Sequence, residues 1–408
     1  MVLFRTQALV VLFLALVLSS TSATRLQAPS GIIPNTYFGL HIHHLDQANP
    51  TPWPNIAVPA WRLWDAEVNW SDIEPGKGRW DFGRLDRYVA LAGQHGTKLL
   101  LPLGGCPVWA SARPQYPSNY GQGFTAWPEN VDDWRVYVST VVSRYKGKIE
   151  AYEIWNEPNL RDFWIGNMDQ MLTLTKEAAQ IIHSIDPNAV VVSPSATADY
   201  GVSWLSEFLR KGGGSSVDVI GYHFYVNPHT KAPEDMIPLI QGVRHMMAAN
   251  DVADKPLWNT ESGWLLPAHF ESETTAAGFL ARAYMLAWAA NVQRFYWYAW
   301  DNRSLAIVTY NEPERRVTQA GHAYEEIEQW LVGARMENCT EDTDHDWICQ
   351  LSRSGKKQWV VWNPQGAHAF AVPTEWHVSN AKPLLGERHD SNGLSVNVGP
   401  EPTLLTMR

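Results

Sequence analysis

Residues Ile149–Asn159, IEAYEIWNEPN, read as a buried strand that stops abruptly. Ile149, Tyr152 and Ile154 suit a strand interior. Asn156-Glu157-Pro158-Asn159 then ends it, because Pro158 has no N–H to give to a ladder. The stop leaves the Glu157 carboxylate at the C-terminal lip of the strand, where parallel barrels keep their chemistry. Asn156, one residue back, is placed to hydrogen-bond whatever that carboxylate acts on. A lone glutamate at a turn is more often a satisfied structural group, so the rest of the chain has to decide.

Working outward from this stretch, short apolar runs alternate with helical ones. Eight strands are expected: Tyr37–His43, Ala60–Trp64, Lys98–Leu103, Ile149–Trp155, Val190–Ser193, Val217–Tyr225, Pro256–Glu261 and Arg294–Trp300. Between them Val131, Trp134, Val138, Val141, Val142 and Tyr145 share one helical face, and Thr275–Ala290 is long and Ala-rich. Such units predict an α/β fold, a (β/α)8 TIM barrel over residues 24–332. A doubly wound sheet is the runner-up, but no Gly-rich phosphate loop follows the first strand. Beyond Gly333 the helices cease, and Trp347–Leu351, Gln358–Trp362, Ala369–Val372, Leu394–Val398 and Thr403–Met407 predict a small C-terminal β-sandwich domain, residues 333–408. Asp342, Asp344 and Asp346 alternate like a calcium loop but lack its Gly and its final Glu, and read as a solvated hairpin tip.

The 408 residues carry a net charge of −10, which argues against nucleic acid as a partner. The 21 Trp are unusual, and Trp is suited to the apolar faces of sugar rings. Residues 1–23 read as a secretory signal peptide: Arg5, the apolar run Ala8–Leu18, and small residues up to Ala23. The run is short for a membrane span. The expectation is a secreted or periplasmic protein with no membrane association after cleavage, its oligomeric state left open. Of three Cys, Cys339 and Cys349 are near enough in sequence to pair, leaving Cys106 as a small buried residue.

Period-two alternation within each strand predicts which side chains share the barrel interior. It groups Gly39, His41 and His43; Arg62 and Trp64; Glu153, Trp155 and Glu157; Gly221, His223 and Tyr225; and Leu257, Asn259 and Glu261. The expected mouth thus holds Glu157 and Glu261 with Arg62, His41, His43, His223 and Tyr225. Two facing carboxylates are the equipment of glycoside hydrolysis, one protonated to assist the leaving oxygen and one ionised. The charge of Glu261 is expected to raise the Glu157 pKa, while Arg62 and Tyr225 keep Glu261 anionic. Glu153 is expected to form a buried pair with Arg62 instead of taking part in chemistry. No cofactor is called for.

These segments resemble clan A glycoside hydrolases, and most closely glycoside hydrolase family 39. Glu153-Ile154-Trp155-Asn156-Glu157-Pro158-Asn159-Leu160 is similar to that family's acid/base segment, and Trp258-Asn259-Thr260-Glu261-Ser262-Gly263-Trp264 to its nucleophile segment. Trp70-Ser71-Asp72-Ile73-Glu74-Pro75-Gly76, Pro107-Val108-Trp109-Ala110-Ser111 and His223-Phe224-Tyr225 resemble the segments after the second, third and sixth strands. The resemblance implies a retaining mechanism on a carbohydrate, with Glu157 as acid/base and Glu261 as nucleophile. It also implies that Asn156 binds the hydroxyl beside the anomeric carbon, that Tyr225 holds Glu261 and that His223 lies beside the site. Trp109 and either Trp297 or Trp300 are expected to contact the sugar.

Two rivals are weighed against this. His41-Ile42-His43 is similar to the His-x-His of zinc-dependent amidohydrolase barrels, with His223 and Asp301 as further ligands. The fourth strand offers no Lys or Cys bridge, and the fifth ends in Val192-Ser193-Pro194-Ser195 without a His, so no metal is expected. A non-catalytic carbohydrate-binding barrel is the second rival, and it has no need of an opposed acid pair. The identity of the sugar, and endo or exo action, are not specified by these residues.

Overall fold

The computed structural model describes residues 25–46, 50–226, 232–264, 272–302, 307–391 and 393–407; the expected signal peptide lies outside them. All eight expected strands form, six of them a little shorter than the apolar run, the third with the expected bounds and the seventh running on to Gly263. They are Phe38–His41, Ala60–Arg62, Lys98–Leu103, Ala151–Ile154, Val190–Val192, Ile220–His223, Leu257–Gly263 and Arg294–Tyr298, called here barrel strands one to eight. Every neighbouring pair is parallel, and strand eight pairs with strand one. Strand five breaks at Pro194 and resumes as Ala196–Thr197 against strand six, and a Val192–Val219 bridge closes the ring. Helices follow strands two to eight, whereas the link from strand one to strand two is irregular among the described residues.

The barrel centre is filled by one layer: Ala60, Leu100, Ala151, Val192, Val219, Trp258 and Tyr296, one residue from each of seven strands or their flanks. Strand one supplies Gly39, whose place is taken by the Tyr296 ring; a Cβ at Gly39 would lie 2.5 Å from that ring. Polar side chains therefore begin one layer above, towards the C-terminal ends of the strands.

The C-terminal part is an antiparallel sheet of seven strands, with His389–Asp390 at one edge, and a separate two-stranded ribbon, His368–Ala371 with Ser395–Val398, laid on it. The sequence places Arg25 and Leu26 with the barrel; they instead pair with Thr340 and Cys339, so this sheet draws on both ends of the chain. Arg335–Glu341 and Val378–Pro383, polar segments not expected as strands, complete it. Along strand Lys356–Trp362, Trp359 and Val361 face the two-stranded ribbon, while Val360 and Trp362 face the barrel. Cys339 and Cys349 stand opposite each other in register and are disulfide-bonded, and Cys106 is buried and free. The helix Glu273–Ala289 is enclosed on all sides from Ala276 to Ala289, and a Cβ added at Gly278 would lie 3.1 Å from the carbonyl oxygen of Pro400, in the turn that leads into the last strand of the sheet. Burial between two layers explains why its apolar residues run all the way round.

Candidate active site

Arg62, at the end of strand two and wholly buried, joins the site together. Its Nε donates to Glu153 Oε2 at 2.6 Å, Nη1 to Glu261 Oε2 at 2.7 Å and Nη2 to Asn156 Oδ1 at 2.7 Å. Nη1 also lies 3.1 Å from His41 Nε2. Burial opposes its charge, but Glu153 and Glu261 outweigh that, and its pKa is raised. Glu153 accepts on its other oxygen from Ser195, which in turn accepts from Thr260 Oγ1 at 2.9 Å. Glu153 is thus a structural anchor, as expected, and the chain Thr260–Ser195–Glu153–Arg62–Glu261 ties strands two, four, five and seven together under the mouth.

The two candidate carboxylates reach the mouth by routes that simple alternation misses. On strand four, Trp155 was grouped with Glu153 and Glu157. Its φ is instead +70°, and its ring points outward, 4.8 Å from the Trp164 ring, with Nε1 donating to Phe163 O at 2.8 Å. Glu157 also has a positive φ, of 42°. Such conformations cost about 1–3 kcal/mol each and gather at functional sites. Here they turn consecutive residues, Asn156 and Glu157, to the same side. On strand seven, Leu257 was expected inside; it packs beneath the helices, and Trp258 takes the inner layer. Phe295 pairs with Asn259 but Trp297 with Ser262, so strand seven carries one extra residue there. That bulge re-aims Glu261 inward.

One oxygen of Glu157, one oxygen of Glu261 and one ring nitrogen of His223 all lie within 4.8 Å of one another. His223 Nδ1 is 2.8 Å from Glu157 Oε1, and the Tyr225 hydroxyl donates to Glu261 Oε1 at 2.9 Å. Burial pushes the Glu157 carboxyl up to about 7, against the pull of Thr197 and Arg62. The largest cause is desolvation, with Asp65 and Glu153 adding to it; the repulsion within the pair, expected from the sequence at Glu157, is felt at Glu261, which the Glu157 charge raises. Burial likewise lifts Glu261, to about 6, with the Glu157 charge adding to it and Arg62 opposing it. Arg62 and Tyr225 therefore do hold Glu261 but do not bring it to an ordinary carboxylate value. His223 is lowered to about 4 by burial and is neutral. Asn156 Nδ2, His223 Nε2 and His43 Nε2 are buried without hydrogen-bond partners, the condition of groups that await a polar ligand.

The expected tryptophans lie elsewhere. Trp297 sits among Phe279, Tyr284 and Phe295 under the helices, and Trp300 stacks on Tyr310; both are fully buried. Trp109 donates to Glu74 O at 2.8 Å and packs edge-on to Trp70. The residue of strand eight that shares a face with Tyr296, and so faces the mouth, is Tyr298. Its ring lies 4.9 Å from His41 and 4.8 Å from His43, and its hydroxyl donates to Asp65. Alternation read from Tyr296 finds it; preference for Trp did not. Asp65, Tyr120 and Phe163 were likewise not singled out, since they lie on loops without an alternating pattern.

His41 and His43 do not form a zinc pair. A guanidinium stands at the His41 ring nitrogen that would ligate, and its other nitrogen is 3.2 Å from Trp297 O. Asp301 is taken up by the backbone N–H groups of His43 and His44 and by Thr51 Oγ1. Among the described residues, the groupings close enough to hold a cation are His44–Asp301–Glu312 and Glu157–His223–Glu261, and neither includes His41 or His43.

The family model described as glycosyl hydrolases family 39 matches residues 65–302. A beta-xylosidase of Caldicellulosiruptor saccharolyticus is 29% identical over 35% of this chain and 31% of its own length, and one of Geobacillus stearothermophilus is 28% identical over 40% and 37%. The chain thus spans about a third of the length of these relatives. A family 39 glycoside hydrolase from the gut symbiont Bacteroides cellulosilyticus WH2 superposes with a TM-score of 0.73 at 18% identity, covering 93% of this chain and 82% of that one.

Proposed function

The chain belongs to glycosyl hydrolases family 39, and on that premise we propose that it hydrolyses glycosidic bonds of an oligo- or polysaccharide with retention, using Glu157 as acid/base and Glu261 as nucleophile. The observation that carries the proposal is the approach of the two carboxylates within 4.8 Å. Retaining enzymes hold the pair about 5–5.5 Å apart, whereas inverting ones leave about 6.5–9.5 Å for a water. The higher pKa of Glu157, about 7, against about 6 for Glu261, supports Glu157 as the proton carrier.

In the first step Glu157 gives its proton to the glycosidic oxygen as the bond from that oxygen to the anomeric carbon breaks. A Glu261 oxygen bonds to the anomeric carbon and the leaving group departs as an alcohol. Formation of the ester removes the Glu261 charge, so the ionised Glu157 can take a proton from water. The water oxygen displaces Glu261, which regains its charge. Neutral His223 stays hydrogen-bonded to Glu157 through both steps, and Asn156, held by Arg62, presents Nδ2 to a sugar hydroxyl. Beta-xylosidase activity in two relatives makes xylosides a first substrate to try. We further propose export through the leader at residues 1–23, in keeping with the Cys339–Cys349 disulfide.

The roles separate on nitrophenyl glycosides. Glu157→Ala should retain the first step on such activated leaving groups but lose the second by about 10²–10⁴-fold. Azide, which needs no base, should restore turnover and give the glycosyl azide of unchanged configuration. Glu261→Ala should lose the first step for every leaving group. Rescue of the Glu261 variant to the inverted azide, with none for the Glu157 variant, would reverse the assignment.

A further inference from the structure

Asp65 stands three residues beyond Arg62, on the loop that leaves strand two, with a left-handed φ of 54°. Asp tolerates that conformation better than most residues. The turn sends its carboxylate back across the mouth, where Oδ1 accepts from Tyr120 at 2.8 Å and Oδ2 accepts from Tyr298. Each carboxylate oxygen has two acceptor directions, so one on each remains after the phenols are satisfied. Asp65 is half-buried, and its charge reaches both Glu157 and Glu261, raising each.

The surroundings suit a sugar ring. Tyr120 packs against Phe124, Trp64 and Phe163, and Tyr298 covers His41 and His43. These aromatic walls offer apolar faces, while the unpartnered His43 Nε2 and Asn156 Nδ2 offer polar ends. Arg62 is buried and already held by two carboxylates and an amide, so it is not free to receive an acidic group.

Resting on the hydrolase reading above, we propose that Asp65, clamped by Tyr120 and Tyr298, is a specificity-determining residue. It accepts hydroxyls of the sugar bound between Glu157 and Glu261 and turns away a sugar carrying its own carboxylate. The substrate class is therefore neutral glycosides and not uronides.

The test measures kcat/KM on nitrophenyl β-glucoside, β-xyloside and β-glucuronide for the wild-type protein, Asp65→Asn and Tyr120→Phe. The glucoside and glucuronide differ at the sixth carbon alone. The wild type should prefer the better neutral glycoside by about 100-fold, the factor implied by like charges about 6 Å apart at an effective dielectric constant of about 20. Asp65→Asn removes that charge and should shrink the ratio by up to about 100-fold, through a higher KM for the neutral substrate and a lower one for the glucuronide, and should move the pH profile of kcat/KM to lower pH, because the charge that raises both glutamates is gone. Tyr120→Phe keeps the charge but loosens its place, so KM should rise for both substrate classes alike while the ratio holds. A glucuronide cleaved as well as the neutral glycosides, or a ratio unmoved in Asp65→Asn, would overturn the proposal. Calorimetric binding of xylohexaose, mannohexaose and hexagalacturonate to the same proteins separates it from the hydrolase reading. Neutral-selective binding that Asp65→Asn abolishes, without turnover, sinks only the hydrolase reading. Turnover with an unmoved ratio sinks only the role of Asp65. Neither turnover nor binding sinks both.

Discussion

Arg62 makes three charge-assisted hydrogen bonds in three directions at once, to Glu153, Glu261 and Asn156. A planar guanidinium can do this from a fixed position, and a lysine ammonium cannot. The residue sets the electrostatics of the mouth, yet burial wins over it at both glutamates, leaving Glu157 at about 7 and Glu261 at about 6. The competent form needs Glu261 ionised and Glu157 protonated. Activity should therefore fall as pH drops through about 6, where Glu261 gains a proton, and as pH rises through about 7, where Glu157 loses one. A pH profile of kcat/KM should be a narrow bell with these apparent values, which belong to the pair jointly. A plateau from pH about 5 to about 9 would contradict it.

At the level of single elements, both glutamates are presented by departures from regular strand geometry. Strand four ends in two left-handed residues, and strand seven carries a bulge ahead of Gly263. Gly263 is needed there: a Cβ would lie 2.1 Å from the Tyr298 carbonyl oxygen, a backbone atom with no room to give. Gly263→Ala should cost about 1–3 kcal/mol in urea unfolding, and should lower kcat more than it raises KM, because the displaced strand carries Glu261. Wild-type stability with unchanged kcat would show that the close approach does not position the site. Alternation read strands one, two and six correctly, placing His41, Arg62, His223 and Tyr225 inside. It failed on strands four and seven because an extra residue or a left-handed turn leaves no mark on the apolar pattern. Alternation still put Glu157 and Glu261 at the mouth, but it grouped them with Trp155 and Leu257, which point away from it. Trp297 was misplaced because chemistry outranked position, where the alternation through Tyr296 and Tyr298 would have served better; Trp300 keeps that parity but lies beyond the strand, which ends at Tyr298, and stacks on Tyr310.

At the level of the whole molecule, closure of the barrel brings strands four and seven, distant in sequence, within reach of each other across the mouth. The eight strands were legible because parallel strands buried on both faces are continuous apolar runs. The C-terminal sheet was legible only in part: Arg335–Glu341 and Val378–Pro383 are polar, and Arg25–Leu26 joins from the far end of the chain. Its two faces serve different cores, one with the two-stranded ribbon and one with the helix Glu273–Ala289, so it buttresses the helix that follows strand seven. The central claim is that this architecture makes Glu261 the nucleophile. A nitrophenyl glycoside of the accepted sugar with fluorine in place of its second hydroxyl should slow the second step and trap the intermediate. Mass spectrometry of the digested protein should then find one glycosyl group, on Glu261. A label on Glu157, or no label alongside product of inverted configuration, would contradict the account.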